Sequence, residues 1–258
     1  MVAAVLARVA AASTSDAPWL LPYRAAAQRL ALQLAPGVML AQALNAVLAD
    51  GPPIVLDAGA LRFVAASALP VGEPYEAFVA RSACVPTRDD PHDLFNALVW
   101  LVHPGLKAHL NRLHVAVLAR DGVTATRGAL RDALTLFDEN GALLHAPATL
   151  ARALRERDWH ALFVQLRLQW AQAELVLVGH ALLDKLMQPR KAITAHVWIA
   201  DAARDACDID ALPRALTPQR LATRPFVPLP VLGVPGWWPA NQDPGFYADA
   251  QVFRPSRR

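Results

Sequence analysis

Lysine is almost missing from this sequence. Lys107, Lys185 and Lys191 stand against 22 arginines. The chain uses arginine wherever any cation serves. The lysines that persist then mark positions where a compact ammonium suits better than a planar fork. Two of the three fall in one stretch, "GHALLDKLMQPRKAITAH", residues 179 to 196. Cysteine is scarcer still. Cys84 and Cys207 have neither metal-ligand nor redox spacing, and a reducing cytoplasm is the expected compartment. Serine occurs five times, with no G-x-S-x-G, so covalent catalysis by serine or cysteine is not expected. The sequence also lacks a P-loop, a G-x-G-x-x-G, an H-E-x-x-H and a paired C-x-x-C. P-loop nucleotide and dinucleotide binding fall away with them.

Charge is thin, at 18% of residues against ~25% in an ordinary soluble domain. Long apolar runs are nevertheless absent. No stretch of ~20 residues escapes a charge or a proline, so no membrane span is expected. The opening "MVAAVLARVAAASTSDAPW" lacks a basic leader and is broken by Arg8, which reads as an ordinary N-terminal segment. An excess of one sign is lacking too, because the net +3 is local. From Arg214 onward six arginines face only Asp243 and Asp249, and the preceding chain carries 19 cations against 20 anions. A nucleic-acid protein carries its basic excess on a folded face. Here it sits on a proline-rich tail, so nucleic acid is an unlikely partner.

What is present is mostly helical. "PWLLPYRAAAQRLALQLAPG" is periodic and stops at Pro36-Gly37, and "VMLAQALNAVLADG" makes a second short helix. "LRFVAASALP" reads as extended. "DDPHDLFNALVWLVHPG" is a helix capped by Asp90 with Pro91 in its first turn. Pro104 opens the next helix and Gly122 closes it. "GALRDALTLFDENG" is another, stopped at Asn140-Gly141. Residues 146 to 189 read as long and mostly helical, with "ELVLVGH" open to a strand reading, while "ITAHVWIAD" alternates like a strand. After Pro213, prolines at 225, 228, 230, 235, 239, 244 and 255 forbid long helices. That segment also holds Trp237, Trp238, Phe246, Tyr247 and Phe253, which disordered tails generally lack. The expected architecture is one domain over residues 1–258, mostly α, α+β with a small β element. Residues 1–16 are the candidate flexible end. Residues 213–258 form an ordered, extended, aromatic-rich arm packed on the helical body.

Five strings resemble one bacterial family: "VPTRDDPHDLFNALVW", "RGALRDALTLFDENGALL", "RDWHALF", "GHALLDKLMQPRKAITAH" and "GWWPANQDPGFYADAQVFRP". It is known as domain of unknown function 3025. The resemblance runs from about Trp19 to the C-terminus. It implies one intact domain with the arm as an integral part, and it assigns no role to any residue.

Candidate chemistry comes from four places. His92 and Asn96 share a helix face, with Asp93 beside them. His92 and Asp93 offer a base or a metal ligand, although Asp90 and Asp93 also suit the start of a helix. His180 and Asp184 are four apart, with Lys185 on the neighbouring stripe. Arg190, Lys191 and Thr194 follow after Pro189. These cationic and hydroxyl donors suit a phosphate or carboxylate. His196 on the next strand completes a candidate divalent-metal set of His180, Asp184 and His196. The third place is the helix around Arg127, Arg131, Asp132, Asp138 and Glu139, where "DENG" reads as a turn rather than a calcium loop. Trp237 on the arm is a candidate apolar wall.

The reading is an enzyme for a small anionic substrate, for example a phosphorylated one, with or without a divalent metal. His92, Asp93, His180 and Asp184 carry the chemistry. Asn96, Arg131, Lys185, Arg190, Lys191, Thr194 and Trp237 bind the ligand. The alternative is a non-catalytic binding or assembly protein whose aromatic arm packs on a partner subunit. The sequence leaves the oligomeric state open.

Overall fold

The structure, a computed structural model, describes residues 2–122, 128–200, 209 and 211–255. Arg127 and Cys207 lie outside the described residues. The chain divides into two compact units, Met1–Leu134 and Thr135–Arg258.

The first unit is largely helical. α1 (Val2–Thr14), α2 (Arg24–Gln33) and α3 (Leu40–Ala49) come first, with a 3-10 turn at Pro18–Tyr23 ahead of α2. α1 packs on α2, burying Val5, Val9 and Ala12. A short hairpin, β1 (Val55–Leu56) and β2 (Gly59–Ala60), precedes β3 (Arg62–Ala65). β3 pairs in parallel with β4 (Cys84–Thr87), and α4 (Tyr75–Ser82) makes the crossover. Asn45 closes α3 onto β3 by donating to the Phe63 carbonyl at 2.7 Å and accepting from its N–H at 2.9 Å. α5 (Pro91–Val102) is the core helix, buried continuously from Asp93 to Trp100. Asp90 caps it by accepting from the Asp93 N–H at 2.9 Å, and Pro91 occupies the first helical position. α6 (Pro104–Asp121) follows and ends at Gly122, which holds φ +70°.

α7 (Ala129–Asn140) contains the boundary between the units and runs directly into β5 (Gly141–His145). The rest of the second unit comprises α8 (Ala148–Glu156), β6 (Glu174–Leu177), α9 (His180–Leu186) and β7 (Thr194–Ile199), then the short α10 (Leu212–Ala215) and α11 (Pro218–Ala222), and β8 (Val227–Pro230). Its sheet has the order β6-β5-β7-β8, with β5 and β7 parallel and both edge strands antiparallel. The central strands bury Ala142, Leu144, Ala195, Val197 and Trp198.

"GALLH", to which the sequence reading assigns no element, is a strand central to the sheet. One expectation from the sequence needs correction here. The stretch from 146 to 189 is not one long helix. α8 ends at Arg157, which adopts the left-handed region at φ 55°. A π-turn at Ala161–Gln165 and a 3-10 turn at Arg167–Gln172 then lead to β6. Side chains outweigh helix propensity at this point. Trp170 donates its indole N–H to the Leu162 carbonyl at 2.9 Å, and Trp159 donates to the Arg254 carbonyl at 2.7 Å. Both anchors require a bent backbone.

The C-terminal region packs on the body of its own unit, as its aromatics imply. Phe163 stacks on Trp159, Trp170 and Tyr247, and Phe253 meets Phe163 and Tyr247 edge-on. Asn241, fully buried, donates to the carbonyls of Leu232 and Val234 at 2.9 and 2.7 Å. Arg167 reaches the Asn241 carbonyl and the Tyr247 hydroxyl.

Candidate functional site

Two glycines build the polar corner of the second unit. α7 ends and β5 begins at Gly141 with no residue between. A Cβ on Gly141 would collide with the carbonyl and the ring of Phe137. A Cβ on Gly179 would lie 2.5 Å from both the Asn140 Cα and the Gly141 N. The close approach is sealed by the Gly141 carbonyl, which accepts from the N–H groups of Val178 and Gly179 at 3.0 and 2.9 Å. His180, the next residue and the first of α9, is thereby pressed against the end of α7.

His180 is buried, with 4% of its surface exposed. Its Nδ1 lies 3.8 Å from Asp138 Oδ2, and its Nε2 lies 3.5 Å from Glu139 Oε2. Lys185, one helical turn along α9, donates to Asn140 Oδ1 at 2.9 Å. Asp138 and Glu139 occupy the last turn of α7, which has no basic residue. Carboxylates there face the negative end of the helix dipole and weaken the helix. Their compensation comes from across the corner. Two carboxylates around one imidazole attract a cation, either a proton on the ring or a metal ion shared by nitrogen and oxygen donors.

His196 lies on β7 directly beside Gly141 in the sheet register. Burial, and then the charge of Lys185, hold its pKa below the ordinary value of 6.5, so the imidazole is neutral at pH 7. Asp184 sits four residues after His180, on the same side of α9. Arg190 is exposed after the helix.

Lys191 faces elsewhere. Its ammonium lies 3.2 Å from Asp249, 4.3 Å from the centre of the Phe246 ring and 5.7 Å from that of Phe253. It fastens the arm. The Lys191 hydrogen bond lowers the Asp249 pKa. Trp237 is half-buried within the arm. Thr194 lines a separate cleft of about 320 Å³ with Arg157, Trp159 and Arg254.

The remaining candidates belong to the first unit. His92 occupies the first turn of α5 and is half-buried. Asp93 accepts from the Arg88 N–H at 2.7 Å and from its guanidinium at 3.0 and 2.8 Å. Burial pushes its pKa up. The Arg88 hydrogen bonds and the charges of Arg88 and His92 outweigh that, and the carboxyl sits below its usual range. Asn96 donates to the Tyr75 hydroxyl at 3.1 Å. Arg131 and Asp132 are half-buried on α7.

The sequence named His180 and Lys185 in one stretch and Asp138 and Glu139 in another, with "DENG" read as a turn, and did not pair Glu139 with His180. The signal was available in the two glycines. A glycine that ends a helix and another that precedes a histidine both mark close backbone approach.

Among the described residues this is a mostly helical α+β protein whose second unit sets a buried histidine against helix-terminal carboxylates. The chain belongs to the family described as Protein of unknown function (DUF3025), whose model matches residues 61–257. No curated protein and no solved structure matches it. No helix among the described residues is long and apolar enough to cross a membrane.

Proposed function

We propose that the protein is an enzyme acting on a small anionic substrate, with the His180 corner as its chemical centre and a divalent cation as its helper. The observation behind this reading is the buried His180 between Asp138 and Glu139 at the unfavourable end of α7. A divalent ion would take the nitrogen and oxygen donors gathered there while polarising a bound oxygen. Glu139 and His180 would be its principal ligands, with Asp138 and Asp184 supporting. Lys185 and Arg190 supply positive charge for negative charge that develops at the reacting group, and neutral His196 is available to accept a proton. The two cysteines, lacking any pairing spacing, fit a cytoplasmic setting. The assembly alternative has less behind it, because Tyr247 and Phe253 of the arm are engaged by Trp159 and Phe163 of the same chain.

The test is metal content and turnover together. Purified protein should carry, or take up, about one equivalent of manganese or zinc per chain. Metal should raise its melting temperature and support hydrolysis of aryl phosphates or aryl esters. His180→Ala and Glu139→Gln should abolish the uptake. Less than a tenth of an equivalent, with no thermal shift on adding metal, would overturn the metal-assisted reading.

A further inference from the structure

The cleft of about 320 Å³ lies on the edge of the four-stranded sheet. Its floor is the ribbon of β7 and β8. Thr194 pairs with Pro230, and His196 with Pro228. Residues two apart on a strand share a face, so Pro228 and Pro230 present their rings together beside Thr194. Neither proline offers an N–H, so this edge does not invite another strand. One wall is the bend after α8, with Arg157 and Trp159. The other is the end of the arm, with Arg254. The Trp159 indole holds that wall by donating to the Arg254 carbonyl.

Two cations face this apolar floor without being neutralised. The Arg157 guanidinium makes no hydrogen bond or ion pair among the described residues. Arg254 uses only its Nε, donating to the Gln251 carbonyl at 2.9 Å, which leaves both terminal nitrogens available. Arg157 also occupies a costly position. It is one of three non-glycine residues at positive φ among the described residues, with Ala83 and Arg224. It follows the last turn of α8, where glycine is the ordinary choice. A side chain there costs backbone energy, and here the residue lines the cleft.

We propose that this cleft binds a small organic anion, a carboxylate or phosphate monoester attached to a flat apolar group. Arg157 and Arg254 grip the anion, and Trp159 with the two prolines forms the platform for the apolar part; the Thr194 hydroxyl, which donates to the Ala192 carbonyl at 3.1 Å, only lines the cleft. Guanidinium forks match the oxygen pairs of both anions. The volume lies at the small end of ligand pockets, which suits a single ring with its substituent rather than a polymer. The inference rests on the proposed function in making the cleft the substrate-binding half of the enzyme. His196, two residues along the same face of β7 from Thr194, joins the cleft to the strand register of Gly141, beside which His180 is seated.

The experiment is equilibrium binding to the full chain, read by calorimetry and ligand-observed NMR. Benzoate and phenyl phosphate are the probes, with benzyl alcohol as their neutral counterpart. One or both anions should bind, and their ranking identifies carboxylate or phosphate as the group recognised. Benzyl alcohol should bind at least about tenfold more weakly, and Arg157→Gln and Arg254→Gln should each weaken the anion about tenfold. Arg157→Gly should lose binding while keeping or raising the melting temperature, which separates loss of the charge from loss of the fold. His180→Ala should bind as the wild type does, even where it fails to turn over. No binding of either anion would overturn the assignment. So would equal binding of the alcohol, or unchanged affinity in both arginine variants. Loss of binding in a folded His180→Ala variant would move the anion to the His180 corner and overturn it as well.

Discussion

The side chains that sequence reasoning singled out divide by what they already hold. Each of the three lysines meets a partner suited to a compact ammonium. Lys185 meets the Asn140 oxygen, Lys191 meets Asp249 and two rings, and buried Lys107 lies over Trp100. Their scarcity was therefore a usable signal, although it marked structural posts as well as candidate ligand sites. Asp93 shows the same ambiguity. Its residue type and neighbours suggest a base, but Arg88 saturates it. The bonds favour the ionised form and lower the folded-state pKa. Asp93 therefore contributes stability that is full above the unfolded carboxylate value of about 3.9 and is lost as pH falls through the lower folded value. Asp93→Asn should lower stability at pH 7 by roughly 1–2 kcal/mol, since Arg88 is more than half exposed and its partner is not. The deficit should shrink toward zero as the wild type is titrated below the folded value. Urea unfolding at pH 7 and at pH 3 tests this. An equal deficit at both would mean that the carboxylate charge is not what Arg88 holds.

At the level of elements, the legible parts were those whose signals are local. Asp90 and Pro91 fix the start of α5, Gly122 closes α6, and alternation with β-branching marks β7. The strand "GALLH" was missed because it has no alternation. Gly141 to Leu144 are buried whichever face they point to, so β5 reads as a short continuous apolar run rather than an alternating one. The bend at residues 157–172 was missed because it follows from tryptophan hydrogen bonds over distance, which no local pattern encodes. The His180 corner depends on the same kind of non-local fit. Gly179→Ala forces its new methyl into the Asn140–Gly141 backbone, which cannot yield as a flexible side chain would. The expected cost is about 1–3 kcal/mol. It should come with displaced His180 resonances in a histidine-detected NMR spectrum and with loss of metal uptake. Gly51→Ala, where the nearest side-chain atom is 3.6 Å away, serves as the control and should leave those resonances in place. If Gly179→Ala retains wild-type stability, the tight approach is not what positions His180.

At the scale of the molecule, the C-terminal arm was the most legible large feature, because proline density with many aromatics admits few other outcomes. What the sequence did not show is that the arm completes the sheet. β8 closes the β7 edge, and Tyr247 and Phe253 pack on Phe163, with Phe253 also against Trp159. Pairing between Thr194 and Pro230, or between Ala195 and Leu229, spans more than thirty residues and leaves no trace in local periodicity. An arm that supplies an edge strand and buried aromatic surface belongs to the folding unit rather than lying on it. Each of those aromatics contributes on the order of 2–3 kcal/mol by burial, so losing them together exceeds the margin of an ordinary domain. A chain ending at Pro213 should therefore lose the near-ultraviolet circular dichroism of its packed tryptophans and should bind a hydrophobic dye. The point substitution Asn241→Ala should leave the fold intact but lower its stability by roughly 2–3 kcal/mol, because two buried carbonyls lose their donor. A truncated chain with wild-type dichroism and an unchanged melting temperature would show the arm to be dispensable for folding. The same result with a smaller assembly mass in solution would return the arm to the role of a partner-binding segment.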